Sequence, residues 1–231
     1  MLNEPKPDTF TLSTTGPGLG DTLLFTSPFR HSNAKHKIIN LTPSIERFSF
    51  FFENLVTKIN ITDNIEPTTD IGHGHFAARK CRHAGYEGTD IIPQIIFDST
   101  PYDNEVISVL KNIETPVVLK LECSNTWKHL RQFPLEYWLN YLKIPPHNII
   151  QFGVSDSFIP FPGAIHMVDV PLKLQTAYFR HIKRYIGVDT GDLHLMLAVG
   201  GCVEVHVPPS NIYYKYDEWH YNSERAKYVV V

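Results

Sequence analysis

Cysteine is scarce: Cys81, Cys123 and Cys202 are the only three, widely spaced and without a C-x-x-C pair. An odd count at that spacing speaks against a disulfide framework or a cysteine-rich zinc site, and for free thiols in a reducing compartment. Long apolar runs are also missing. No stretch approaches the roughly 18 uninterrupted apolar residues of a membrane span. The opening MLNEPKPDTF carries charge and two prolines where a secretory signal needs an apolar core. A soluble, cytoplasmic protein is expected. Excess positive charge is absent as well: 21 Lys and Arg against 24 Asp and Glu leave a formal charge of −3. That excludes general attraction to nucleic acid, though not a local basic groove. With 42% apolar and only 19% charged residues, the chain has the composition to bury a core.

What is present is a repeated alternation of short β-rich runs with helix-length segments, and 231 residues suit one large domain or two small ones. Residues 10–14, 37–41 and 56–61 read as strands, with helices starting at Asp21 and near Ser44. The second half repeats the theme. Strands are expected at 116–121, 148–152, 184–188 and 202–207, and helices at 134–142, 174–182 and 192–199. Such alternation predicts α/β units around mostly parallel sheets. A seam at residues 113–116 gives two lobes, 1–114 and 115–231. The aromatic tail, Tyr213 to Tyr221, is expected to pack back on the body. Phe48, Phe50, Phe51 and Phe52 have the spacing of core residues.

Three motifs carry chemistry. Gly16-Pro17-Gly18-Leu19-Gly20-Asp21 follows a strand and opens a helix. It is neither G-x-G-x-x-G nor a P-loop, which leaves Asp21 at the carboxyl end of the first strand, where open α/β sheets place ligands. Asp21 is either a helix N-cap or a catalytic acid. Next, Gly187-Val188-Asp189-Thr190-Gly191-Asp192-Leu193-His194 ends a buried strand and starts a helix. Thr190 can cap that helix, and the free N–H groups around Gly191 and Asp192 make an anion site, with His194 close behind as a donor to phosphate. Third, Ser124-Asn125-Thr126-Trp127-Lys128-His129-Leu130-Arg131 brings hydroxyls and cations after a strand end, which suits a diphosphate; an ordinary solvated loop is the plain alternative.

Together these motifs resemble glycosyltransferase family 9, the heptosyltransferase-like group. The residues that carry the resemblance run from Gly18 through Gly20, Asp21 and Thr22 to Pro28, and from Gly187 through Asp189, Thr190, Gly191 and His194 to Gly200. The resemblance implies a GT-B-like α/β fold: two Rossmann-like lobes with mostly parallel sheets facing across a cleft, an N-terminal acceptor-side lobe and a C-terminal nucleotide-sugar-binding lobe. It implies inverting, metal-independent transfer of a sugar from a nucleotide-sugar donor to a glycan or glycolipid acceptor, with no cofactor. By position, Asp21 matches the catalytic acidic residue, with Gly18 and Gly20 as its glycine loop. Thr190, Gly191 and His194 match the donor-phosphate motif, flanked by Asp189 and Asp192. Ser124, Thr126 and either Lys128 or Arg131 match the phosphate-binding loop; Arg131 has the spacing of the family's lysine and Lys128 its residue type. Both lobes are trimmed relative to the family, and Val154-Ser155-Asp156-Ser157 lacks a glutamate expected near the donor's nucleoside.

Gly72-His73-Gly74-His75-Phe76, followed by Arg79, Lys80, Cys81, Arg82 and His83, could bind a metal or reach an anionic acceptor. His73 and His75 lack a matching distant pair, so a plain loop and helix is favoured. Two rival functions stand beside the transferase: one that glycosylates a nucleic-acid base, disfavoured by the charge balance, and a noncatalytic nucleotide-sugar-binding module, suggested by the trimmed lobes. The short lobes also suit a homodimer.

Overall fold

The computed structural model describes residues 8–15, 18–68, 75–123, 128–210, 221 and 223–231. The chain divides into two compact units, Met1–Phe97 and Asp98–Val231. The division lies ahead of the 113–116 seam, because the helix after Phe97 packs on a helix of the second unit.

In the first unit, strands β1 (Thr9–Thr14), β2 (His36–Leu41) and β3 (Lys58–Ile61) form a parallel sheet in that order. Leu12 pairs with Ile39, and both are fully buried. The helical run expected from Asp21 is split into α1 (Leu19–Leu23) and α2 (Thr26–His31). Two residues account for the break. Pro28 has no N–H to give the carbonyl four residues back, and the Thr26 hydroxyl donates to the Leu23 carbonyl at 2.7 Å. The segment Pro43–Phe51 is a run of 3-10 turns rather than an α-helix. Its phenylalanines are core, as their spacing predicts: Phe48, Phe50, Phe51 and Phe52 are all buried. Phe29 of α2 meets Phe10 and Phe52 edge-on, with ring centroids 5.4 and 6.0 Å away. Each such fully buried ring contributes about 1.5–3 kcal/mol. Helix α3 (Phe76–Cys81) runs into a 3-10 turn, Arg82–Ala84.

The second unit begins with α4 (Asp103–Leu110) and holds a six-stranded, all-parallel sheet. Strand β4 (Val117–Lys120) leads through α5 (Lys128–Arg131) and α6 (Leu135–Tyr141) to β5 (Ile149–Gly153) and β6 (Ile165–Val168). Then come α7 (Leu172–Ile182), β7 (Arg184–Val188), α8 (Gly191–Ala198), β8 (Cys202–Val207) and β9 (Ala226–Val230). The spatial order is β6-β5-β4-β7-β8-β9. Central strands read as continuous apolar runs because both faces are covered. On one face Val117, Leu119, Leu121, Ile186 and Val188 pack with Trp138 and Phe161. On the other, Phe152 meets Tyr178 and Phe179 of α7 edge-on. The chain leaves β4 toward β5 on one side and β7 toward β8 on the other. The order therefore reverses between β4 and β7, and the carboxyl ends of those neighbours form the crevice where open α/β sheets bind ligands. Their backbones pass closely: a Cβ on Gly187 would lie 2.4 Å from the Lys120 carbonyl oxygen. No helix among the described residues is long and apolar enough to cross a membrane.

Candidate active site

The β7–α8 turn sits at the reversal point of the second unit. Strand β7 ends at Val188, Asp189 follows it into the interior at 4% exposure, and Thr190 caps α8 from an extended conformation. The Thr190 hydroxyl oxygen accepts the Asp192 N–H at 3.3 Å, and the Leu193 N–H reaches the Thr190 carbonyl at 3.2 Å. Gly191 is the first helical residue. The Asp192 N–H expected to be free is thus taken by the cap; what the turn could offer an anion is the Gly191 N–H and the helix dipole, worth about 0.3–1 kcal/mol per charge when exposed and up to ~2 when partly buried.

Both carboxylates beside the turn are held by cations from the β4 side of the crevice. Asp189 Oδ2 lies 3.0 Å from an Arg131 guanidinium nitrogen, which also donates to the Asp189 carbonyl at 3.3 Å. Asp192 Oδ2 lies 3.6 Å from Lys120 Nζ, and its other oxygen accepts from Gln175 Nε2 at 2.8 Å. Lys120 Nζ also donates to the Phe152 carbonyl at 3.2 Å. Beneath the turn, the Tyr185 hydroxyl donates to the Val188 carbonyl at 2.6 Å. Burial keeps that phenol well above its ordinary pKa.

His194 stands one turn into α8. Its Nδ1 lies 2.6 Å from the Tyr221 hydroxyl. Burial and then the nearby Arg131 cation push its pKa down to about 3, so the ring is neutral at physiological pH and has one N–H to offer.

The structure brings Asp189, Thr190, Gly191, Asp192 and Arg131 together at this turn, with His194 one turn further along α8. Arg131, rather than Lys128, is joined to the turn; Lys128 is exposed at the start of α5. Ser124 and Thr126 lie outside the described residues. Sequence reasoning missed Lys120, Gln175 and Tyr221. A lysine inside the apolar run of β4 was the available signal for Lys120. Glu122 was missed too. It is 2% exposed just past β4, accepts the Leu121 N–H at 3.1 Å, and burial raises its carboxyl pKa.

Asp21 belongs to the first unit. It is exposed in the first turn of α1, but the N-cap is Gly18, so the capping alternative does not hold. Its carboxylate folds over Gly18: a Cβ there would sit 2.9 Å from Asp21 Oδ2. Gly20 lies within the same helix. The Thr22 hydroxyl donates to the Gly18 carbonyl at 3.0 Å and steadies this turn. His75, from the histidine-rich stretch, is instead the N-cap of α3. It is buried, and its Nδ1 accepts the Ala77 N–H at 3.1 Å. His73 lies outside the described residues. Among the described residues no group of three or more His, Cys, Asp or Glu could hold a metal ion.

No protein-family profile matches the chain, and no curated protein matches it. Solved structures do. The E. coli ADP-heptose lipopolysaccharide heptosyltransferase II superposes with a TM-score of 0.63 at 9% identity, over 95% of this chain and 89% of that one. A glycosyl transferase family 9 protein from Veillonella parvula gives 0.59 at 14% identity, over 96% and 85%. The iron-containing dodecameric glycosyltransferase TibC from enterotoxigenic E. coli gives 0.57 at 15% identity, over 94% and 61%. The chain is α/β and GT-B-like, and its fold is that of the family 9 heptosyltransferases.

Proposed function

We propose that the chain is a glycosyltransferase that moves a sugar from a nucleotide-sugar donor to a glycan or glycolipid acceptor, with inversion and without a metal. The observation that carries this reading is the β7–α8 turn. A capped helix N-terminus lies at the reversal point of a parallel sheet, with both flanking carboxylates already paired to Arg131 and Lys120. The shared fold adds support: the E. coli neighbour is an ADP-heptose heptosyltransferase.

In the proposed reaction an acceptor hydroxyl oxygen bonds to the anomeric carbon of the donor. The bond from that carbon to the diphosphate oxygen breaks, and the diphosphate leaves with the electron pair. Asp21 takes the hydroxyl proton, a role worth about 10²–10⁴-fold, which makes the first unit the acceptor side. The Gly191 N–H and the dipole at the start of α8, with the His194 N–H, receive the growing charge on the leaving diphosphate. The transition state is oxocarbenium-like, as in glycoside hydrolysis.

Thermal-shift screening against UDP-, GDP-, ADP-, CMP- and dTDP-sugars tests the donor class. At least one should raise the melting temperature and be hydrolysed slowly without acceptor. Binding without any hydrolysis or transfer would leave a binding module in place of an enzyme. No response to any donor would reject the proposal.

A further inference from the structure

We infer that Ser13, Asn40 and Asn60 form a row that binds the hydroxyl groups of a neutral saccharide at the carboxyl end of the first unit's sheet. That this saccharide is the sugar acceptor rests on the function proposed above; that the row binds one does not.

Alternation gives the three-stranded sheet two unlike faces. Leu12, Ile39 and Leu41 point into the core and are fully buried. The opposite face is open: Thr11, His36 and Lys58 are exposed on it, although a parallel sheet ordinarily has both faces covered. Ser13, Asn40 and Asn60 stand side by side on this open face, in register, each the last residue but one of its strand. The carboxyl ends of parallel strands are where α/β sheets receive ligands, and β1 leads from this end toward α1 and Asp21.

Asparagine is depleted in strands, where threonine or valine packs better, yet two asparagines adjoin here. Their side chains are linked, Asn60 to Asn40 at 2.8 Å and Asn40 to the Ser13 hydroxyl at 3.0 Å. The Ser13 hydroxyl has one hydrogen and each amide two. The two bonds use two of these five, so three remain whichever way round the amides stand, and no described residue accepts them. Ser13 is fixed through its backbone, whose N–H donates to the Thr68 hydroxyl at 2.8 Å and whose carbonyl accepts the Thr68 N–H at 3.0 Å. Strands about 4.8 Å apart set the three half-buried groups on one line. The hydroxyls along a saccharide both donate and accept, so they can meet such a line throughout. The row itself holds no charge, and Lys58 stands about 7 Å back along its strand, so a neutral saccharide is favoured over an anionic one.

The test is ¹H–¹⁵N NMR of the full chain, with the side-chain amide signals assigned by their loss in Asn40→Thr and Asn60→Thr. Lactose, cellobiose, maltose and the anionic digalacturonate are the probes. At least one neutral disaccharide should shift both amides, and digalacturonate should bind more weakly. Asn60→Thr should weaken binding about 3- to 10-fold, the worth of one net hydrogen bond. Threonine suits a strand, so that variant should fold; Ser13→Ala, which removes one hydroxyl from an edge strand, serves if it does not. No shift with any neutral disaccharide, unchanged affinity in the variants, or tighter binding of digalacturonate overturns the inference. Disaccharide binding on the row in a protein that no nucleotide-sugar stabilises upholds the row and rejects the transferase reading.

Discussion

Arg131→Ala removes the cation that neutralises a buried carboxylate. Asp189 is almost fully enclosed, with its side chain 6% exposed, while Arg131 is 27% exposed. Breaking a wholly buried pair costs about 3–5 kcal/mol, and an exposed pair is worth only about 0–1. One enclosed carboxylate facing a partly solvated guanidinium falls between, at about 2 kcal/mol. For a protein of this size that corresponds to a melting temperature lower by about 4–8 °C. Differential scanning calorimetry of the wild type, Arg131→Ala, Asp189→Asn and the double variant measures it. Because Asp189→Asn replaces the carboxylate with a neutral amide that needs no cation, the double variant should recover part of the loss, which shows as a positive coupling in the cycle. If Arg131→Ala melts within about 1 °C of the wild type, the usual reach of a surface change, the pair does not organise the turn.

Other consequences can be measured separately. Asp21→Asn should lose about 10²–10⁴-fold in turnover with donor binding intact in calorimetry; wild-type turnover would remove Asp21 from the base role. Gly187→Ala must push a methyl against the Lys120 carbonyl, 2.4 Å from its ideal position. It should destabilise by about 1–3 kcal/mol or more in urea unfolding. Thr190→Ala deletes the α8 cap and should cost about 1 kcal/mol, with weaker pyrophosphate binding. Acid should weaken the fold through His194. Its folded-state pKa is pushed down to about 3, so the unfolded chain takes up a proton below about 6.5 that the folded chain refuses. Stability is then complete above that pH and is lost as pH falls toward 3, by up to about 1.4 kcal/mol per pH unit. His194→Gln should show a shallower acid dependence of melting.

Local pattern made much of the second unit legible. Strand β7 runs Arg184–Val188, as expected, because an unbroken apolar run ends at Asp-Thr-Gly and Thr190 caps the helix after it. Strands β6 and β9 were missed because they are the sheet's edges. Their half-exposed side chains (Ile165, Met167, Ala226 and Tyr228 are only partly buried) give no continuous apolar run. The segment near Ser44 has helix-like aromatic spacing, yet it folds as 3-10 turns that still bury the same phenylalanines. The acids and hydroxyl of the β7–α8 turn were readable from type and spacing. Their partners were not: Lys120 reaches Asp192, and Tyr221 reaches His194, only after the chain has crossed the sheet, and no local periodicity encodes that.

The two ion pairs at the reversal point have a consequence for how any anion is received. Asp189 is cancelled by Arg131 and Asp192 by Lys120, so these four groups add no net charge at the entrance. A phosphate bound as proposed would then be met mainly by oriented dipoles at short range. Attraction to a helix dipole falls off within one turn and is weakened by salt, so such an anion would be held only at close range, with little long-range steering.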